Sequence, residues 1–321
     1  MSFSVETKEE LARVLAEKRC CQLAELSALF RMDGSLQISA EHHVALTITT
    51  ESASVARKIF RLIKAVFGLQ TQIMVRHKRR LKKSNVYVIS LPARIDSQNV
   101  LQALGIMDQE GNFSLEPDEG MLKRHCCRRA YLRGAFLGGG SVNSPEGAYH
   151  LEIITNDEHH AKTICELLQR FELAAKISQR KGWYIVYLKE SDQIVEMLNI
   201  IGAHTALFSF ENVRIVKGMR NQVNRLVNCE TANLNKTVSA SLRQKELIEA
   251  LMSRISVDSL PAPLKEIAEL RLQYPDASLK ELGQMLTPPV GKSGVNHRFR
   301  KLEALAEQLG VSGKSNPEGE H

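Results

Sequence analysis

Cys126 to Ser141 reads CCRRAYLRGAFLGGGS, and a weaker copy, CCQLAELSALFRMDGS, lies 106 residues earlier at Cys20 to Ser35. Seven of the 16 aligned positions are identical: Cys20/Cys126, Cys21/Cys127, Ala24/Ala130, Leu26/Leu132, Phe30/Phe136, Gly34/Gly140 and Ser35/Ser141. That density, in two segments each followed by a similar pattern, predicts a duplicated structural unit. Ala130, Gly134 and Gly138 recur every four residues and share one file of a helix, as do Ala24, Ala28 and Met32 in the first copy. Small residues in a file let two helix backbones approach closely, and an interior Gly costs a helix roughly 1 kcal/mol that packing has to offset. The two copies are therefore expected to dock helix to helix; the alternative is two ordinary core helices sharing no axis. Gly138-Gly139-Gly140 should end the second helix at positive φ, as Asp33-Gly34 ends the first.

Outward from these helices, one order of elements repeats. In residues 1–107, a helix over Glu6 to Lys18 leads into a motif helix over Cys21 to Met32. Strands follow at Leu36 to Ile38 and Ala45 to Thr49, then a helix over Glu51 to Phe67. Strands at Thr71 to Arg76 and Val86 to Leu91 and a helix over Asp96 to Leu104 complete the unit. After the polar connection Asp108 to Gly120, residues 121–203 repeat the order. The motif helix spans Arg128 to Leu137, strands lie near Val142 and at His150 to Ile154, and a helix covers Glu158 to Phe171. Strands at Lys176 to Gln179 and Trp183 to Lys189 and a helix over Gln193 to Ile201 close it.

Residues 206–235 read as a linker helix over Ala206 to Cys229, with Val213, Val216, Met219, Val223 and Leu226 on one stripe. Arg214, Lys217, Arg220, Asn221, Asn224 and Arg225 lie on others, so the helix is either a solvated linker or a basic surface that tracks DNA. Residues 237–311 are helical: Ser241 to Met252, Leu264 to Leu272, a short helix begun by the capping box Ser278-Leu279-Lys280-Glu281, and a last helix over Ser293 to Leu309. Thr287-Pro288-Pro289-Val290-Gly291 separates the last two. Residues 312–321 read as a polar disordered tail.

Leu132 to Gly140, LRGAFLGGG, and Leu26 to Gly34, LSALFRMDG, resemble degenerate forms of the helix motif of the LAGLIDADG homing endonucleases. The resemblance implies paired motif helices at a domain interface, carboxylates at their lower ends that bind divalent metal, and two β-saddles in the DNA major groove. The second copy and the C-terminal half, including NQVNRLVNCETAN at Asn221 to Asn233, are similar more closely to the WhiA family. This similarity runs from about residue 5 to 310. It implies an α+β fold, a duplicated αββαββα LAGLIDADG-like domain followed by an all-α helix-turn-helix domain. It also implies sequence-specific binding of promoter DNA by a transcriptional regulator linked to cell division, chromosome segregation and sporulation septation. Division or sporulation regulators are the implied protein partners, and the nucleoid the implied location.

The composition agrees with a folded nucleic-acid binder without requiring one. Across 321 residues, 43% are apolar and 25% charged, the formal net charge is +7 and the pI about 9.1. No apolar run approaches the roughly 18 residues of a membrane span, so a cytoplasmic protein is expected. Four of the six cysteines form two adjacent pairs at one repeat position. With no C-x-x-C spacing they read as small core residues in a reducing compartment, without disulfides.

Metal-dependent DNA cleavage needs carboxylates at the facing ends of both motif helices. Asp33 occupies that position in the first copy and Gly139 in the second. Asp33 therefore reads as a helix-end turn residue, and no catalytic residue, metal or cofactor is expected. A residual endonuclease and a nucleoid-structuring protein without sequence preference are the competing readings. Arg76-His77-Lys78-Arg79-Arg80-Leu81-Lys82-Lys83 places six Lys/Arg in eight residues at a hairpin tip, with Arg76, Lys78, Arg79, Arg80 and Lys82 the expected phosphate contacts. Trp183, Tyr184 and Tyr187 read as sheet packing rather than a base-stacking platform. The helix-turn-helix about Ser278 to Leu309 is the strongest signal. At 100° per residue, Val295, Phe299, Leu302, Ala306 and Leu309 cluster on the core side. Lys292 opens the helix, and Ser293, Asn296, His297, Arg300 and Lys301 point away, where base edges would be read.

Overall fold

A computed structural model describes residues 2–38, 44–77, 85–91, 96–114 and 116–311. The first unit contains α1 (Phe3–Arg13), α2 (Arg19–Asp33), β1 (Gly34–Ile38), β2 (Val44–Thr50), α3 (Ala53–Phe67), β3 (Gln72–His77), β4 (Asn85–Leu91) and α4 (Asp96–Ala103). A short α5 (Glu119–Leu122) precedes its repeat: α6 (His125–Gly139), β5 (Gly140–Val142), β6 (Leu151–Thr155), α7 (Glu158–Gln169), β7 (Lys176–Arg180), β8 (Trp183–Leu188) and α8 (Ser191–Ile201). Each half forms a four-stranded antiparallel sheet with the same order, β1-β2-β4-β3 and β5-β6-β8-β7.

Local chemistry explains the boundaries. Ser52 and Asp157 accept hydrogen bonds from the first turns of α3 and α7, while Gly68 and Gly202 end α3 and α8 in the left-handed region. In β2, Val44, Leu46 and Ile48 are buried and alternate with part-exposed Ala45 and Thr47; Leu151, Ile153 and Thr155 do the same in β6. One face of each sheet is thus apolar and covered by helices. Helix α1 starts three residues earlier than expected because the Ser2 side chain caps Val5.

The motif helices α2 and α6 dock on each other, and the small-residue file is the contact. A Cβ on Gly134 would overlap the Glu25 carbonyl oxygen and lie 3.0 Å from the Ala28 Cβ. One on Gly138 would meet Met32. The expected positive φ at the helix ends is not found, because Gly34 and Gly140 are extended, at φ −84° and −79°. Glycine is required there for space: a Cβ at either would strike the Phe30 or Phe136 ring of its own helix.

A buried ionic group spans this contact. Arg133 of α6 donates through Nε and Nη2 to Glu25 of α2, at 3.1 and 2.8 Å, and Lys58 of α3 pairs with the same carboxylate. The excess positive charge is directed at helix C-terminal carbonyls, Lys58 donating to Leu11 at 2.7 Å and Arg133 to Ile201 at 3.3 Å. Ser27, which aligns with Arg133, likewise donates to Leu104 beyond α4 at 2.7 Å. Position 27/133 therefore ties each motif helix to the closing helix of its own half. Burial pushes the Lys58 ammonium down to about 8 against the pull of Glu25. Breaking such a buried set typically costs about 3–5 kcal/mol.

After α8 a single helix, α9 (His204–Met252), replaces the linker helix and separate Ser241 helix expected from sequence. No Pro or Gly lies between Cys229 and Ser241, so nothing interrupts the backbone ladder. The chain divides within it into compact units at residues 1–218 and 219–321. In the second unit a 3₁₀ turn (Val257–Ser259) leads to α10 (Ala262–Gln273), α11 (Leu279–Met285) and α12 (Lys292–Gln308). Their core contains Ile248, Leu251, Ile267, Leu282, Val295, Phe299, Leu302 and Ala306. The tail from 312 lies outside the described residues.

Gly134→Ala is expected to destabilise the compact unit of residues 1–218 by about 1–3 kcal/mol in chemical denaturation, although Ala is the better helix former, because its methyl meets backbone rather than a flexible side chain.

Candidate nucleic-acid interface

The capping box that begins α11 is formed in full: the Ser278 hydroxyl accepts from the Glu281 N–H at 3.3 Å, and Glu281 accepts from the Ser278 N–H at 2.7 Å. Gly283 lets the turn fold back onto α11. Its carbonyl accepts from Val290 N–H at 2.8 Å, and a Cβ there would overlap the Val290 oxygen. The long Pro-Pro turn is fastened to α10 by Glu266, which accepts from Thr287 N–H at 3.0 Å and pairs with Arg298 of α12 at 3.3 Å. Arg271, 2% exposed, donates to the Ala277 and Pro275 carbonyls at 2.6 and 3.2 Å and lies 5.5 Å from the Phe299 ring centroid. These contacts set α12 on α10 and α11. Neither Arg271 nor Arg298 was singled out in the sequence, since a basic side chain carries no sign of whether it will be buried.

On α12 the expected division holds along most of its length. Val295, Phe299, Leu302 and Ala306 are buried, while Lys292, Ser293, Asn296, His297, Arg300 and Lys301 are exposed. Leu309 departs from the expected core stripe: it is the C-cap and 39% exposed, because the helix has ended and the stripe no longer applies. Gly291, the N-cap, supplies no side chain, so the first N–H groups of α12 are free of a side-chain cap beside Lys292 and Ser293.

In the first unit the exposed candidates lie at the outer strands. Every residue of β3, including Arg76, is exposed; Lys78, Arg79, Arg80 and Lys82 lie outside the described residues. The repeat places β7 equivalently, with Lys176 and Arg180 exposed and Lys181-Gly182, both at positive φ, turning the hairpin. Sequence reading missed this second basic tip because its charges are sparse. Trp183 is 51% exposed, so it does not serve the sheet packing expected of it. Tyr187 stacks on His150 at 5.9 Å, and the Tyr184 hydroxyl donates to Glu158 at 3.1 Å. On α9, Val216, Met219, Val223 and Leu226 are 47–62% exposed.

Asp33 is the last residue of α2, where α2 and α6 meet. Burial pushes its carboxyl up to about 6, with Lys8 partly opposing. The opposite position is sterically closed. A Cβ on Gly139 would overlap Met32 Cε and the Ile154 carbonyl oxygen, so an acid cannot be seated there without displacing backbone. Among the described residues, the group of three or more His, Cys, Asp or Glu that could share a metal is Cys20, Cys21, Cys126 and Cys127, far along α2 and α6 from Asp33. The cysteines are all free thiols; of these four, Cys21 and Cys127 are buried, but Cys20 and Cys126 are half-buried rather than core. No helix of the described residues is long and apolar enough to cross a membrane.

Because the folded state holds the Asp33 proton more tightly than the unfolded chain, its contribution to stability is present below pH 3.8 and lost as pH rises through about 6. Asp33→Asn is expected to remove that decline and raise stability at neutral pH by about 1–2 kcal/mol, read from melting curves across this range.

Family models for the WhiA N-terminal LAGLIDADG-like domain, the WhiA LAGLIDADG-like domain and the WhiA C-terminal HTH domain match residues 19–107, 128–220 and 223–306. The chain is 76% identical over 313 residues to a protein of Heliobacterium modesticaldum named probable cell division protein WhiA, covering 98% of each. It is 62% identical to one of the same name from Desulforamulus reducens, covering 96% of each. The fold is similar to the crystal structure of full-length DUF199/WhiA from Thermatoga maritima, at 24% identity and TM-score 0.58, covering 96% of this chain and 99% of that one. With the duplicated unit, the helix-turn-helix and these matches together, the chain belongs to the WhiA family.

Proposed function

We propose that this protein is a sequence-specific DNA-binding protein with a role in cell division, that α12 reads base edges in the major groove, and that it cleaves no DNA. The observation that carries the reading is the exposed face of α12: Ser293, Asn296, His297, Arg300 and Lys301 stand opposite a buried Val295/Phe299/Leu302 stripe on a helix fixed by Arg271 and Glu266. Asn, Arg and Ser at successive turns are donors and acceptors of the reach that groove recognition uses. Arg76, Lys78, Arg79, Arg80 and Lys82 add phosphate contacts from the first half, with Lys176, Arg180 and Lys181 in the second. The division role follows the names of the relatives. The finer reading is regulation of transcription from promoters, bearing on chromosome segregation and sporulation septation, in the cytoplasm at the nucleoid and with other division or sporulation regulators; it rests on the family resemblance. The filled space at Gly139, which leaves no room for an acid opposite Asp33, supports the reading without nuclease chemistry.

Ala at Asn296 or Arg300 is expected to cost about 1–3 kcal/mol on the preferred site and much less on random DNA, with folding unchanged. Full retention of the specific to non-specific ratio by both folded variants would move recognition elsewhere. In the same titrations, Ala at Arg79, Arg80 and Lys82 together is expected to weaken all sequences alike and flatten the salt dependence by roughly one unit of log-log slope per lost contact.

A further inference from the structure

The four cysteines that the repeat places in pairs 106 residues apart are one cluster in space. Their Sγ atoms all lie within 4.8 Å of one another. Each pair occupies the first turn of a motif helix, Cys20 and Cys21 in α2, Cys126 and Cys127 in α6. Both helix starts are braced from the same repeat position: Gln22 donates to the Ala16 carbonyl at 2.7 Å and Arg128 to the Leu122 carbonyl at 2.9 Å. The N-caps, Lys18 and Arg124, make no side-chain capping bond, and the Arg124 guanidinium lies 3.8 Å from Cys20 Sγ.

We propose that Cys20, Cys21, Cys126 and Cys127 bind one divalent metal ion, zinc by preference, as a tetrahedral tetrathiolate site that clamps the two halves of the duplicated domain together. Geometry favours a single ion: zinc–sulfur bonds of about 2.3 Å at tetrahedral angles hold the sulfurs about 3.8 Å apart, within reach of small side-chain rotations from the present arrangement. A multinuclear iron–sulfur cluster would spread its thiolates more widely. Electrostatics agrees. A divalent ion with four thiolates carries two net negative charges, facing the positive ends of α2 and α6 and the Arg124 guanidinium. Half-burial of Cys20 and Cys126 leaves an entry side, while buried Cys21 and Cys127 form the floor. On binding, four S–H bonds are replaced by four metal–sulfur bonds and the protons pass to solvent, so affinity rises with pH. No sequence spacing announces the set, because each half contributes only two ligands and the fold supplies the other two.

The test is metal analysis of the full chain purified with reductant and without chelator, followed by Co²⁺ titration of the stripped, reduced protein. The expected result is one zinc per chain, and a tetrahedral cobalt–thiolate spectrum that saturates at one equivalent, is reversed by zinc, and is accompanied by a higher melting temperature. Cys20→Ser with Cys126→Ser is expected to abolish stoichiometric binding, while Cys229→Ser and Cys165→Ser keep it. Should the double variant not fold, Cys20→His, which retains a ligand, is expected to bind one cobalt with a shifted spectrum. The proposal is overturned by reduced wild-type protein that gives no tetrahedral cobalt spectrum, by a disulfide among these cysteines in freshly purified protein, or by iron and inorganic sulfide in place of zinc.

Discussion

The close approach of α2 and α6 is the constraint on which the duplicated domain, residues 1–218, depends. It exists because Gly134 presents no side chain to the Glu25 carbonyl and because Ala28 and Gly138 continue the same narrow seam. A seam that tight leaves no room for water around the charges at its centre, so Glu25, Arg133 and Lys58 must satisfy one another and the helix carbonyls near them. Both halves are thereby indexed to a common axis: each motif helix runs directly into the first strand of its sheet, at Gly34 and Gly140, and the outer strands β3 and β7 are carried to equivalent exposed positions.

The duplication is symmetric in scaffold and asymmetric in chemistry. Where two acids could face each other across the helix ends, the first half has Asp33 with an elevated proton affinity and the second has a glycine whose missing side chain admits Met32 and the Ile154 carbonyl. A side chain opposite Asp33 is excluded by that packing. At the opposite ends of the same helices the symmetry is kept, and there it brings four sulfurs together. The paired helices thus gather their sulfurs at their beginnings, and the exposed polar face of α12 lies in a separate compact unit.

Much of this could be read from the residues. The repeat register, the small-residue file and the period-two and period-3.6 patterns placed the elements of both halves, and helical phase alone divided α12 into buried and exposed faces. The misses share a cause. Lys58, Glu25 and Arg133 lie on three different helices, and the two cysteine pairs on two, so their meeting is a property of the tertiary fold that no local window contains. Gly34 and Gly140 at the helix ends serve for space and not for positive φ, since sequence reports what a residue permits and not which neighbour needs the room. The sequence reading ends one helix at Cys229 and begins another at Ser241, yet no Pro or Gly lies between them, so α9 runs on unbroken.

Major-groove reading by α12 is the central claim for function, and methylation interference addresses it without altering the protein. Genomic fragments selected by the full chain at physiological salt would be lightly methylated with dimethyl sulfate, which marks guanine N7 in the major groove and adenine N3 in the minor groove, then sorted into bound and free. The account predicts a discrete block of a few base pairs at which guanine N7 methylation excludes DNA from the bound fraction while adenine N3 methylation there does not. Binding indifferent to guanine N7 methylation at every position would contradict it.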